Sequence, residues 1–537
     1  MNKLIIRITK ATLLLIFAFC ANGTSQSVDS NNEINLTSDN TRSYNTSLDN
    51  ILSEYQILRL GSNVTAIKGN PQGWLSIKTD GNTLAQLNVH TENLSHENNN
   101  LDHLSFLSGG VKNGGHASLT IGENFMYGFI QSSHKKYYVQ PLRYFVPNAD
   151  PALHVYYEEK NVINKNHAGC GHHHGLQSDL KEKYETTQQK SSGACKIINI
   201  AIGNTFDMFQ KYGSHQDVID QNVAVLNMVQ TDFRSEFTSN VEFKLVAIHI
   251  AESNNDQPLA HSINSTNSDV LLPSFREWAG NNNFGLPDGI NGGFQQDFDM
   301  AVLWTSRDID FDGNDVIGLA YTPGWYSILE DFSPIGGRLR SLMSHELGHN
   351  FGAVHDTQGA VTIMAPMSVQ TTVWSEASAN AISSHLETLS FLESCSSAGP
   401  PVAYAFQSSF AVCEGGTVEF ENQSQYCDNI TWMIENASPS TSFDAKPVVR
   451  FNEIGTQLVH LTASNALGED AFSTFVHVEA EPQVNCTPQS LPGNGGISQL
   501  AFGDFVSATG LADQAGTYEN NICSGCLLYT SPSPRDS

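Results

Sequence analysis

Ser344-His345-Glu346-Leu347-Gly348-His349-Asn350-Phe351-Gly352-Ala353-Val354-His355-Asp356 has the form H-E-x-x-H-x-x-G-x-x-H. Residues four apart share one face of a helix, so His345 and His349 can offer both imidazoles to a single point. Glu346 stands beside the first histidine, placed to act on a water held by a metal rather than to bind the metal itself. Gly352 allows the chain to leave the helix through a left-handed residue, and the turn brings His355 round as a third nitrogen ligand. Three protein ligands with one open position is the arrangement of a catalytic zinc, whereas a structural zinc is closed by four. Upstream, Leu339, Leu342, Met343 and Leu347 recur at three- and four-residue spacing, a stripe that can seat against a core.

Beyond the third histidine lies Thr362-Ile363-Met364-Ala365-Pro366. An elongated zinc motif followed by a Met-containing turn resembles the metzincin metalloproteases. Asp356, directly after His355, resembles the adamalysin (reprolysin) branch, which includes the ADAM proteases. The resemblance implies one catalytic zinc on His345, His349 and His355, with Glu346 as the proton-transferring base. It implies structural support from Gly352, Asp356 and Met364, the methionine lying under the metal site. It also implies an edge strand above the zinc, with Ile317, Gly318, Leu319, Ala320 and Tyr321 as its counterpart. Protein or peptide substrates would add to that edge as an antiparallel strand, backbone hydrogen bonds giving affinity and pockets giving selectivity.

A chain of 537 residues has room for three or four domains, each with its own core. Its 27 basic and 55 acidic residues give a formal charge of −28, which argues against nucleic acid as a partner because phosphate binding needs clustered Lys and Arg. Lys3, Arg7 and Lys10 precede the apolar run Ala11–Phe19, which is too short to span a bilayer; residues 1–23 read as a secretory signal. No other segment is long and apolar enough to be a transmembrane span. The expected location is extracellular, either free or attached to a bacterial cell surface. In that compartment cysteines pair. Cys195 and Cys395 bracket the zinc-motif region, Cys413 and Cys427 lie within one later module, and Cys486 and Cys523 within another. With Cys20 inside the signal, these pairings leave Cys170 and Cys526 over.

Residues 24–50 are rich in Asn, Ser and Thr and are expected to be disordered or extended. From Ile51 to Tyr157 short apolar runs alternate with Gly and Asn, a β-like pattern, and Ala117–Leu142 with His154–Tyr157 resembles the propeptide of adamalysin-like proteases. Residues 24–175 are therefore expected to form a β-rich propeptide. Near its end lies Asn166-His167-Ala168-Gly169-Cys170-Gly171-His172-His173-His174. A thiolate is a good zinc ligand and glycines on both sides let the backbone approach a metal. A lone cysteine here resembles the family's cysteine switch, so Cys170 is expected to bind zinc in a latent form. The triplet His172–His174 departs from that pattern; it is either a solvated tract or a second metal holder, and composition favours the tract. Residues 176–194 are polar and charged and read as an exposed processing linker.

The zinc protease domain is expected over 195–396. Lys196–Ile202 is an apolar β-run, Val218, Val225, Leu226, Val229 and Phe233 fall at helical spacing, and Val241–Leu245, Asp299–Trp304 and Val316–Tyr321 read as strands. With the resemblance, this is an α/β fold, a twisted mixed sheet backed by helices. Alternate carboxylates in Asp308–Asp315 suit calcium, but position twelve of that loop is Leu319 rather than Glu, so it is not an EF-hand. Residues 402–480 change to period-two alternation, as in Val418/Phe420, Ile430/Trp432/Ile434 and Val459/Leu461. They resemble an immunoglobulin-like PKD sandwich, a module for binding extracellular protein or polysaccharide. Residues 485–526 resemble the start of a truncated GEVED-type β-module, and 527–537 look like an unrelated, artefactual tail. Two other functions fit less well: a surface adhesion protein with a weakened catalytic domain, and a zinc hydrolase of non-peptide substrates.

Overall fold

The computed structural model describes residues 33–39, 44–61, 73–94, 101–112, 114–132, 135–163, 173–174, 195–237, 241–280, 293–367, 370–395, 399–480, 499–502 and 505–508. Nine strands come first: β1 (Glu33–Ser38), β2 (Gln56–Leu60), β3 (Gly73–Thr79), β4 (Asn82–Thr91), β5 (Leu104–Val111), β6 (His116–Gly122), β7 (Phe125–Ser132), β8 (Lys135–Pro141) and β9 (Leu153–Glu158). They close into a barrel in the order β1-β2-β9-β8-β7-β6-β5-β4-β3, the ring being completed by parallel pairing of β1 with β3. Closure removes the unpaired edges that an open sheet of this length would expose. Ile34, Leu36, Leu75, Ile77, Leu87 and Leu119 fill the inside. The Asn/Ser/Thr-rich start therefore contributes an extended strand, because Ile34 and Leu36 alternate inward within it. The outside of β5–β9 is apolar too, and Phe106, Tyr127, Phe129 and Tyr138 belong to a core shared with the next unit.

That unit contains β10 (His173–His174), β11 (Lys196–Asn204), α1 (Phe206–Tyr212), α2 (His215–Glu236), β12 (Val241–Ile250), α3 (Ser268–Ala279) and β13 (Met300–Thr305). It continues through β14 (Ile309–Phe311), β15 (Asn314–Val316), β16 (Gly318–Thr322), β17 (Tyr326–Glu330), α4 (Gly336–Asn350) and α5 (Glu376–Thr388). The six-stranded sheet has the order β10-β16-β17-β13-β11-β12 and is mixed: β16 runs antiparallel to β17, and the other neighbours pair in parallel. Buried on both faces, β13 reads Met-Ala-Val-Leu-Trp-Thr without alternation. The expected strand Val316–Tyr321 is divided, Val316 ending β15 and Gly318 opening β16. Cys195 and Cys395 are disulfide-bonded, and Ile197 N–H donates to Glu393 O at 2.8 Å, so the two ends of the unit are stapled together.

After Gly399 come β18 (Ala405–Gln407), β19 (Ala411–Cys413), β20 (Thr417–Asn422), β21 (Asn429–Ile434), β22 (Ala437–Ser438), β23 (Thr441–Ser442), β24 (Val448–Phe451), β25 (Gly455–Asn465) and β26 (Gly468–Glu479). Two sheets, β18-β20-β24-β22 and β19-β26-β25-β21-β23, pack around Val418, Phe420, Trp432, Phe451 and Leu461. The Trp432 indole satisfies its N–H by donating to Asp444 O at 2.9 Å. Cys413 and Cys427 do not pair with each other: Cys413 is disulfide-bonded, while Cys427 keeps a buried thiol whose pKa burial pushes up to about 12. A further hairpin joins β27 (Gln499–Phe502) to β28 (Phe505–Ala508). Residues 1–23, Cys170, 176–194, Cys486, Cys523 and 527–537 lie outside the described residues. Among the described residues no helix is long and apolar enough to cross a membrane.

Inside the barrel wall His154 is wholly buried and both ring nitrogens are committed. Met126 N–H donates to Nε2 at 3.0 Å, and Nδ1–H donates to Ala152 O at 3.1 Å. A proton on Nε2 would face another N–H, and burial already pushes the pKa down to about 3. The folded pKa lies below the unfolded one, so stability is present above pH 6.5 and is lost as the pH falls from there towards 3. Between pH 7 and pH 5 this group alone should destabilise the barrel by about 2 kcal/mol. Urea unfolding at the two pH values checks this, and His154→Gln should flatten the dependence by that amount.

Candidate metal centre

The metal-motif helix α4 is buried almost throughout, and polar contacts as well as packing fix its rotation. Ser344 Oγ donates to Asp232 Oδ2 at 3.1 Å, Arg340 Nε lies 3.4 Å from the same oxygen, and Arg340 Nη2 donates to Thr371 O at 3.0 Å. Burial pushes the Asp232 carboxyl above the usual carboxylate range, and the Arg340 charge pulls against it. At the C-terminal end, Asn350 Nδ2 donates to both Tyr321 O and Tyr326 O at 3.1 Å, tying the helix to β16 and β17. The helix closes with Ala353 N–H on Gly348 O at 2.9 Å and Gly352 N–H on His349 O at 2.8 Å. Gly352 has φ +92°, the left-handed conformation such an ending demands.

Past this turn the three imidazoles meet. His345 Nε2 and His349 Nε2 each lie 3.2 Å from His355 Nε2. The far nitrogens of the first two rings face carbonyls, His345 Nδ1 at 2.6 Å from Ile363 O and His349 Nδ1 at 2.8 Å from Ala353 O. A carbonyl only accepts, so Nδ1 carries the proton and Nε2 turns a lone pair inward. Zinc–nitrogen bonds of about 2.0–2.1 Å at a tetrahedral angle require nitrogens about 3.3 Å apart; the two spacings to His355 match that, and the three ligand atoms all lie within 4.8 Å of one another. His345 and His349 are buried and His355 is half-buried, which leaves access from one side.

Three supports surround this point. An ideal Cβ on Gly348 would lie 2.6 Å from Met364 Sδ, so the missing side chain is what lets the methionine press up under the helix. Asp356 N–H donates to Met364 O at 2.8 Å, and the Asp356 carboxylate accepts from Thr362 Oγ1 at 2.5 Å, Ser375 Oγ at 2.6 Å and Ser378 Oγ at 3.1 Å. Asp356 thus joins the His355 loop to the methionine turn and to the start of α5. Glu346 is fully buried, with Gly318 so close that a Cβ there would collide with Oε1. That contact brings the start of β16 onto the glutamate. Leu319, Ala320 and Tyr321 follow along β16, while Ile317 precedes it and accepts from Glu330 N–H at 2.7 Å.

Sequence reasoning did not find Asn350, Asp232 or Arg340, whose roles depend on partners far along the chain. Nor did it find the pairing of β10: His173 and His174 pair in parallel with Tyr321 and Thr322, so their backbone lies along the outer edge of β16. Cys170 and His172 are outside the described residues. The calcium reading of Asp308–Asp315 gains no support. The segment is the β14–β15 hairpin, turning at Asp312 and Gly313 with φ 53° and 77°, and Asp310 accepts from Thr266 Oγ1. Among the described residues the three histidines are the one group placed to hold a metal ion.

Residues 191–385 match the reprolysin-type model of metallopeptidase family M12. Two similar proteins come from Naja atra. The zinc metalloproteinase-disintegrin-like atrase-B is 28% identical over 257 residues, 44% of this chain and 39% of that protein. The zinc metalloproteinase-disintegrin-like atrase-A is 25% identical over 288 residues, 50% of this chain and 43% of that protein. The chain thus spans less than half the length of either relative.

Asp356→Ala removes the acceptor of three hydroxyls without touching a histidine, so it should loosen His355. Zinc affinity is expected to fall about 10- to 100-fold, as read by competition with a chromogenic chelator. An unchanged affinity would mean that the loop holds its shape without the carboxylate.

Proposed function

We propose that the protein is a secreted zinc endopeptidase made as a latent precursor, its catalytic domain being the stretch 191–385 that matches the reprolysin-type model of metallopeptidase family M12. The observation that carries the reading is the convergence of His345 Nε2 and His349 Nε2 on His355 Nε2, each 3.2 Å away, beside a buried glutamate. When bound there, zinc supplies a Lewis acid for the scissile carbonyl and lowers the pKa of a coordinated water towards neutrality. His345, His349 and His355 hold it, their Nδ1–H donors fixing ring orientation where carbonyls face them. Glu346 takes the proton of the attacking water and returns it to the leaving amine. Ile317–Tyr321 offers backbone donors and acceptors to an extended peptide. Met364, Gly352 and Asp356 keep the ligand loop in register.

Residues 1–23 direct export, 24–175 form the propeptide, 176–194 are the linker cut on activation, and Cys170 supplies the sulfur that fills the fourth zinc position beforehand. The two packed sheets of 402–480 are a PKD-like module that binds extracellular protein or polysaccharide, and secretion from a bacterium accounts for this combination of parts.

Glu346→Ala should keep one zinc per chain and the fold but lose about 10²- to 10⁴-fold in turnover. Near-normal peptidase activity in the zinc-loaded variant would reject the base. A zinc-selective chelator should abolish casein or gelatin cleavage, and added zinc should restore it; active protein without stoichiometric zinc would reject the site. Cys170→Ser, in precursor with an uncleavable linker, should raise the residual activity, since a hydroxyl is a poor zinc ligand at neutral pH. Equal, negligible activity with and without that substitution would reject the thiol switch.

A further inference from the structure

We propose that the nine-stranded barrel is a permanent subunit, remaining bound after the chain is cut within 176–194 in a cradle built jointly by the mixed-sheet unit and the C-terminal sandwich. The proposal rests on reading 176–194 as the cut linker. Its first ground is α2, which is buried around its whole circumference from Asp220 to Arg234. Such a helix belongs to the middle of a core rather than to a surface. The sheet covers one side and the barrel the other, where Asn227 Nδ2 donates to Leu119 O at 3.3 Å and Arg143 Nε donates to Asp217 Oδ1 at 2.8 Å. Barrel residues Phe106, Phe125 and Phe129 lie in the same apolar cluster as Val225, Val229 and Leu339. An interface that resembles one core cut in half is the kind that does not come apart.

The second ground is the metal-motif helix itself, which begins on the barrel. No side chain of its own N-cap, Ile335, caps it. Gln140 of β8 does so instead, its Oε1 accepting from Gly336 N–H at 3.1 Å and its Nε2 donating to Pro334 O at 2.9 Å. Cβ atoms on Gly336 and Gly337 would collide with the Tyr127 and Tyr138 hydroxyls, so the first turn is shaped to receive two barrel tyrosines. Phe129 lies under the Arg340 guanidinium, 5.3 Å from ring centre to Cζ. A barrel that left would take the helix cap with it.

The third ground is the junction of all three units. Barrel residue Glu92 pairs with Arg234 at 2.7 Å, and Arg234 pairs with Glu242 at 2.6 Å, all of them buried. Burial pushes the Glu92 pKa up, but the Arg234 charge and the His90 contact outweigh it and hold it down to about 2. From the sandwich, Gln425 Nε2 donates to Glu92 Oε2 at 3.3 Å and to Thr91 O at 3.2 Å. The Tyr404 hydroxyl accepts from Gly110 N–H at 3.1 Å and donates to Asn88 O. Gly115 N–H donates to Gln407 O at 3.1 Å. The sandwich is anchored in turn on the mixed-sheet unit through Lys446 and Glu236 at 2.9 Å. Releasing the barrel would break the Glu92–Arg234 pair together with the hydrogen bonds that Gln425 and Tyr404 make to barrel residues.

The test is to place a site-specific protease sequence within 176–194 of the full chain, cut it, and run the nicked protein on size exclusion in native buffer at low and high salt. The barrel and the remainder should co-elute as one species and separate only in denaturant; separate elution in native buffer overturns the proposal. In the nicked protein, Tyr404→Ala with Gln425→Ala should speed barrel release by about tenfold or more, and release at the wild-type rate would overturn the sandwich's part in the cradle. Peptidase activity is measured on the same samples. Because Cys170 stays on the barrel side of the cut, the nicked protein is also prepared with Cys170→Ser. Co-elution without activity even in that variant supports docking while sinking the endopeptidase reading, and activity that appears only with a freed barrel does the reverse.

Discussion

Three imidazole nitrogens have to point at one place to within a few tenths of an ångström, and most of the architecture can be traced back to that demand. Two of them lie on one helix and need only its pitch. The third lies past a chain reversal, so its position depends on how the helix ends and on what holds the loop afterwards. Gly352 fixes the first of these, with φ +92° and the paired hydrogen bonds to Gly348 O and His349 O. Asp356 fixes the second by gathering Thr362, Ser375 and Ser378 onto one carboxylate. Ile363 O and Ala353 O then set the tautomers of His345 and His349. The imidazoles are thus oriented by residues that never reach the point where their Nε2 atoms meet, as outer contacts do in metal sites generally.

Buried charge is placed where units join rather than where they are thickest. Asp232 with Arg340 lies between α2 and α4, and Glu92, Arg234 and Glu242 lie where barrel, mixed sheet and sandwich converge. Ion pairs of this kind contribute little net stability over well-packed apolar residues, because desolvation consumes most of the Coulombic gain. They do penalise every arrangement that leaves one member alone. Their value here is positional: the rotation of the metal-motif helix and the seating of the barrel are each tied to a charge that has nowhere else to go.

How much of this could be read in advance depended on the distance over which the information is spread. The histidine motif, its glutamate and the methionine turn all fall within Ser344–Pro366, where spacing translates directly into side-chain placement. The strands of the mixed sheet were legible from apolar runs such as Lys196–Ile202. The barrel was legible as β-like, but its closure depends on β1 pairing in parallel with β3, and the Ile34/Leu36 alternation is masked by Asn, Ser and Thr around it. Helix α3 carried usable signals that went unread: Asn267 caps it through Asp269 N–H, and Leu271, Leu272, Phe275 and Trp278 make its buried stripe. The cysteines divided by the same rule. Cys195 and Cys395 could be matched as the ends of one unit, but proximity in sequence misled for Cys413 and Cys427, since pairing depends on where Cβ vectors point.

The edge of the sheet links this scaffold to the proposed chemistry. Strand β16 has β17 on one side, and on the other the backbone of His173 and His174 pairs with Tyr321 and Thr322. An incoming peptide that adds antiparallel to β16 needs the same outward donors and acceptors, so the two pairings exclude each other. Direction matters as much as occupancy. Because β10 runs parallel to β16, it crosses the sheet edge with reversed polarity compared with a substrate strand. A peptide bond carried into the site in that sense would offer its carbonyl and its leaving nitrogen in exchanged positions relative to Glu346. Under the endopeptidase reading, the chain can therefore lie along its own substrate edge without presenting itself as a substrate.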